Sequence, residues 1–197
     1  MTTTTDWYSK VFTDEEIETA KTEGKTKQAL LAKKYGAYNN LVHETGYRWI
    51  GDLGEITFQE MMLTKYDRTD GIDIVRHTSL ENIDDRDFTL SQKTANLEID
   101  VKTTLCTSMP RPDYLVNLNA TQYQKMLRPD NPINTLVFSR FIEPQKRAIV
   151  FGWIFKREFV KTAKFFKKGD RSGQIIINTD VYCIEIGNLM PFKKANS

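Results

Sequence analysis

Residues 97–104 read LEIDVKTT, and the alternation sorts their side chains. Leu97, Ile99 and Val101 take one parity while Glu98, Asp100 and Lys102 take the other, so a strand here lines two acids and a base along one face. Asp100 and Lys102 make an acid-x-Lys triplet. The other such triplet, Glu23-Gly-Lys25, falls in a stretch of helical character, where positions i and i+2 do not share a face. Two more carboxylates keep the strand triplet company. Asp87 opens the preceding short apolar segment, DFTL, and a hairpin between the two segments brings it toward Asp100. Glu55 lies on a helix behind Gly51 and Gly54, and because helical side chains lean over the preceding turn, Gly51 leaves open space in front of it. Glu98 shares the parity of Asp100 but is expected to point past the group into solvent.

Three acids do not gather without a reason. Two like charges about 4 Å apart repel by roughly 4 kcal/mol at an effective dielectric of about 20, and one lysine cannot offset that. A divalent cation can. Oxygen ligands with no histidine or thiolate point to Mg²⁺, which keeps several waters and shares its ligands with a phosphate; Mn²⁺ can substitute.

The order of these stretches, GDLGE on a helix, then RDFTL, then EIDVKTT, resembles the PD-(D/E)XK nuclease superfamily over roughly 47–128. The resemblance implies a restriction-endonuclease-like core and a metal-dependent endonuclease acting on DNA. It implies Asp87 and Asp100 as metal ligands, the backbone carbonyl of Val101 as a further ligand, and Glu55 assisting through the metal or a bound water. Lys102 would orient the attacking water and stabilise charge on the phosphoryl oxygens. The residue before Asp87 is Arg86 where the superfamily has Pro, and Asp70, Asp73, Asp84 and Asp85 compete for the place of first aspartate. Asp87 is preferred because an apolar strand follows it directly. Some branches also bring in a glutamine from the next helix, a place open to Gln122 or Gln124. By analogy with junction-resolving and homing or restriction-type enzymes, the chain is expected to work as a homodimer. The alternative is a catalytically inactive nucleic-acid-binding module of the same fold.

The elements that must position these residues follow from pattern. Thr13 and Glu16 make a capping box at the head of a helix with an expected break near Gly24, and a second helix is expected from about 45 to 66. A turn-rich acidic stretch leads into the hairpin. DYLVNL reads as strand, ATQYQKMLR as short helix, NTLVFSRF and RAIVFGWIF as strands about the turn EPQK, and VYCIEIGNLMPF as a last strand. Strands broken by single helices predict an α/β fold with a mixed sheet flanked by helices. A basic helix over about 156–168 carries Arg157, Lys161, Lys164, Lys168 and Arg171 in one stripe, which is either a solvated face or a row of phosphate contacts.

At 197 residues and 40% hydrophobic content the chain is read as a single domain over 1–197, and a formal net charge of +2 neither demands nor excludes a polyanionic partner. Cys106 and Cys183 form no CxxC pair, which argues against a zinc site and fits a reducing compartment. No apolar run is long enough to span a bilayer, and a cytoplasmic protein is expected. His43 and His77 are isolated, and no Gly-rich phosphate loop of the nucleotide-binding kind occurs.

Overall fold

The computed structural model describes residues 6–35, 48–65, 72–77, 86–92, 95–172 and 175–192. The fold is mixed α/β. A six-stranded sheet is built from β1 (Tyr8–Val11), β2 (Asp73–Arg76), β3 (Phe88–Gln92), β4 (Ala95–Cys106), β6 (Thr135–Ile142) and β7 (Arg147–Phe155), in the order β1-β7-β6-β4-β3-β2. Only β4 and β6 run parallel; the other neighbours are antiparallel. The parallel pair needs a crossover, and β5 (Leu115–Asn119) with α3 (Ala120–Met126) lies within it. β6 is buried along nearly its whole length, which is why its sequence reads as a continuous apolar run and not an alternating one.

One face of the sheet is covered by α1 (Asp14–Tyr35) and α2 (Arg48–Lys65). The expected capping box holds α1: the Thr13 amide donates to Glu16 at 2.8 Å and the Glu16 amide to Thr13 Oγ1 at 3.2 Å. The expected break near Gly24 is absent, and α1 runs through it unbroken. Gly24 serves instead as the point of closest approach to α2, where a Cβ would lie 3.0 Å from the Trp49 nitrogen. Phe58, Met61 and Met62 of α2 pack on Phe88, Ile99 and Val101, and Trp49, Ile50 and Leu53 pack with Phe141 and Ala148.

The opposite face is covered by α3, α4 (Lys156–Thr162) and a separate three-stranded sheet ordered β5-β11-β8, of β8 (Lys164–Phe166) and β11 (Val181–Glu185) with β5. Val116, Leu118, Met126, Phe138, Phe151, Phe159 and Ile184 form the core between them. A short ribbon of β9 (Arg171–Ser172) and β10 (Ile175–Ile176) completes the described strands.

Two further expectations change. The basic helix ends at Thr162, not near 168: Ala163 turns extended, with ψ 134°, and Lys164–Phe166 pair with Val181–Cys183. Arg157, Lys161, Lys164, Lys168 and Arg171 are all exposed, but they are spread over a helix, a strand, a turn and a ribbon, so they form no single helical row. Of VYCIEIGNLMPF only Val181–Glu185 is strand, and Ile186–Asn188 is a 3-10 turn. The second helix spans Arg48–Lys65, and 45–47 and 66 lie outside the described residues. Among the described residues no helix is long and apolar enough to cross a membrane.

Candidate active site

β3 and β4 pair as the expected hairpin from Gln92↔Ala95 to Phe88↔Ile99, and there β3 leaves. β4 continues to Cys106 with β6 on one side. Asp87 stands at the point of divergence. Its amide donates to the Ile99 carbonyl at 2.9 Å, and its Oδ2 accepts the Val101 amide at 2.7 Å, so a side chain takes over where the strand stops. N–H and C=O of one strand residue face the same side, which turns the Val101 carbonyl toward the same gap.

On β4 the alternation holds. Ile99 and Val101 are buried under α2, while Asp100 and Lys102 share the other face, with Lys102 Nζ 2.6 Å from Asp100 Oδ1 and side chains 22% and 13% exposed for lysine and aspartate. Glu55 reaches in from α2. Its Oε2 accepts from Arg76 Nη2 at 2.9 Å and Nε at 3.2 Å, a pairing that ties α2 to the outermost strand.

Electrostatics join the four residues into one group. Burial first, then the charges of Glu55 and Asp100, hold the Asp87 carboxyl well above its ordinary value, against the pull of Lys102 and the Val101 hydrogen bond. Burial also raises Glu55; Arg76 opposes it and Asp52 adds to it. Burial alone would lower Lys102, but Asp100, Asp87 and Glu55 together outweigh it and keep the ammonium above its usual range. Asp87 and Lys102 thus each lie within the fields of Glu55, from the helix, and Asp100, from the strand.

The two glycines of α2 differ. A Cβ on Gly51 would meet nothing within 4 Å, the open space expected beside Glu55. A Cβ on Gly54 would collide with Thr103 Oγ1 at 1.8 Å and Ser139 Oγ at 2.6 Å, so Gly54 lets α2 lie directly on β4 and β6. Those two hydroxyls hydrogen-bond each other at 2.7 Å.

Other expectations fare unevenly. Glu98 does not point into solvent: Thr89 Oγ1 donates to it at 2.7 Å, and Arg86 Nε lies 3.2 Å away. The cause is β2 and β3, which place Thr89 opposite Glu98. His77 Nε2 lies 2.8 Å from the Thr89 hydroxyl. Asp73 is exposed and pairs opposite Ser91, at the far end of β3 from Asp87. Asp70, Asp84, Asp85 and His43 lie outside the described residues. Gln122 and Gln124 are exposed on α3, whose buried residues are Tyr123 and Met126. Sequence reasoning missed Arg76, Lys27 and Asp52. Lys27 Nζ meets Asp52 Oδ1 at 2.6 Å, and the buried Asp52 Oδ2 has no hydrogen-bond partner among the described residues. The parity of DIVR could have flagged Arg76; nothing local pairs Lys27 with Asp52.

Among the described residues, no three His, Cys, Asp or Glu side chains are drawn together as a ready metal site. The carboxylates nevertheless suit a hard cation. Every donor is oxygen, and the burial and neighbouring like charges that hold Asp87 above its ordinary value are a stress that a divalent ion would relieve.

No protein-family model matches the chain, and no curated protein matches it. Among solved structures it is similar to Hjc, a Holliday junction resolvase from Archaeoglobus fulgidus, at 10% identity, with 67% of this chain and 83% of that one covered and a TM-score of 0.34. So loose an overlap carries no argument.

Proposed function

We propose that the protein is a Mg²⁺-dependent endonuclease of the PD-(D/E)XK type that hydrolyses DNA phosphodiester bonds. The observation supporting this is the placement of Asp100 and Lys102, 2.6 Å apart, on one face of β4 at the point where β3 leaves and Asp87 accepts the Val101 amide at 2.7 Å. Asp87, Asp100 and the Val101 carbonyl would hold the cation. When bound, the cation supplies Lewis-acid polarisation of the phosphoryl oxygens. Glu55 is engaged by Arg76 and acts through a bound water. Lys102, kept protonated by its acidic neighbours, orients the nucleophilic water and donates to the oxygen on which charge develops. The exposed Arg157, Lys161, Lys164, Lys168 and Arg171 contribute charge toward the polyanion, as scattered contacts. Two strands are cut by two copies of the chain, a homodimer.

The test is a gel assay of the purified chain on supercoiled, linear, single-stranded and branched DNA, with Mg²⁺ or Mn²⁺ and with EDTA. Cleavage that needs the metal and disappears in Asp100→Asn and Lys102→Ala, with folding retained, is the expected result. Equal cleavage by both variants rejects the assignment. Salt-sensitive binding with no cleavage by the wild type leaves the inactive binding module.

A further inference from the structure

Residues 156–172 carry seven bases and two acids, against a formal net charge of +2 for the whole sequence. Glu158 is taken up by Arg157 and Lys161, while Asp170 and Asp180 accept the main-chain amides of Lys167 and Lys168 at 2.7 and 2.8 Å. Lys164, Lys167, Lys168 and Arg171 are exposed, with no ion-pair partner among the described residues. Among these cations stands Phe165, 51% exposed on β8, the outer strand of the three-stranded sheet. Its ring is the last of a row. Phe165 lies in register with Tyr182, the ring centroids 5.1 Å apart, and Tyr182 stacks on Tyr123 of α3 at 3.6 Å and 11°. Tyr123 is buried, so the row is anchored in the core at one end and open to solvent at the other.

A single exposed aromatic needs no explanation by itself. Set on an anchored row of rings and flanked in sequence by Lys164 and by Lys167 and Lys168, it has the make-up of a surface for single-stranded nucleic acid. There a base of any identity stacks on the ring and the cations take the phosphates beside it. An apolar protein partner would leave those cations without counter-charge, and an intact duplex would offer phosphates but no free base face. The surface also lies on the side of the large sheet that carries Asp100 and Lys102. Those two are in register with Leu136 and Phe138, which belong to the core beneath the three-stranded sheet. At the head of the basic segment the Lys156 amide donates to the Asn134 carbonyl at 2.8 Å, and the Asn134 amide donates to the Glu98 carbonyl at 3.0 Å, two residues before Asp100. We infer that Phe165 is a stacking platform for an unpaired DNA base, with Lys164, Lys167 and Lys168 on the flanking phosphates. The assignment rests on the nuclease reading for DNA as the ligand and deepens it by naming the substrate class: duplex with a single-stranded branch or end.

The experiment measures binding in EDTA, by fluorescence anisotropy, to a blunt duplex and to the same duplex bearing a 5′ or 3′ flap of about eight nucleotides, with one abasic residue walked along the flap. Phe165→Leu, which keeps apolar bulk but no ring, is expected to lose about tenfold in affinity for the flapped DNA and nothing for the blunt duplex, while Phe165→Tyr holds its affinity. At one flap position the abasic residue weakens the wild type by a similar factor and has no further effect in Phe165→Leu. Lys164→Gln and Lys168→Gln each lower the salt slope of flap binding by about one. Equal affinity of Phe165→Leu and wild type for the flapped DNA overturns the inference, and so does an equal loss on the blunt duplex. If Phe165→Leu does not fold, an abasic walk in the wild type that finds no sensitive position overturns it. Because binding is read without cleavage, a wild type that shows this stacking but never cuts refutes the nuclease reading alone, and metal-dependent cleavage indifferent to Phe165 refutes the platform alone.

Discussion

Gly51 and Gly54 stand one turn apart on the same helix and call for opposite outcomes on substitution by alanine. In a helix interior, alanine is favoured over glycine by roughly 0.5–1 kcal/mol. At Gly51 nothing opposes that gain, since an added Cβ has 4 Å of clear space. At Gly54 the Cβ falls 1.8 Å from Thr103 Oγ1, 2.6 Å from Ser139 Oγ and 2.9 Å from Thr103 Cβ. Overpacking of this kind costs about 1–3 kcal/mol, and losing the Thr103–Ser139 hydrogen bond adds on the order of 1 kcal/mol. Gly51→Ala is therefore expected to gain about 0.5–1 kcal/mol and Gly54→Ala to lose about 1–3 kcal/mol after its own propensity gain. At about 2–4 °C per kcal/mol for a chain of this size, the melting temperatures move apart by roughly 3–16 °C. Urea and thermal denaturation of the two variants measure it, and Gly54→Ala with Thr103→Ala should recover part of the loss. Equal stabilities, or a Gly54→Ala at least as stable as wild type, would refute the placement of α2 on β4, and with it the position of Glu55.

The carboxylate cluster makes a pH prediction in the metal-free protein. The Asp87 carboxyl is raised on folding by burial and by Glu55 and Asp100, so the native state holds its proton at pH values where the unfolded chain has lost it, and this group's contribution to stability falls as pH rises between the two values. Asp87→Asn, which keeps an oxygen for the Val101 amide, should stabilise the metal-free chain at pH 7 by about 1 kcal/mol, flatten that pH dependence and abolish cleavage; a destabilised variant contradicts the charge argument. Thr13→Ala removes one half of the capping box and should cost about 1 kcal/mol in denaturant unfolding, with no loss marking the box as idle. Cys183, its thiol pushed up to about 11 by burial, should resist iodoacetamide at pH 8 until the chain is unfolded, and rapid labelling of the native protein would place it elsewhere.

Much of the placement of the candidate residues was legible because it depends on period-two alternation. LEIDVKTT sorts its faces by parity whatever the rest of the fold does, and the antiparallel pairing of DFTL with it sets the register that carries Asp87 toward Asp100. Partners supplied from a distance left no such trace. Arg76 reaches Glu55 only because β2 adds to the edge of the sheet, and β2 hides in a stretch whose turn residues mask its four-residue alternation. The basic stripe misled for the converse reason: KREFVKTAKFFKKGDR fits a helical period, yet tertiary pairing with β11 claims Lys164–Phe166 as strand. Gly24 misled in the same way, since a helix tolerates the residue that a close neighbour demands.

Asp87 finishes a main-chain ladder with a side-chain oxygen, and this places two demands on a single residue. The length that lets its oxygen meet the Val101 amide at 2.7 Å leaves no slack for another methylene, so aspartate and glutamate are not interchangeable at this corner, whatever either could offer a cation. The residue that closes the ladder at that bend is also the one that the proposed function gives to the cation, so on that proposal drift in either task is constrained by the other.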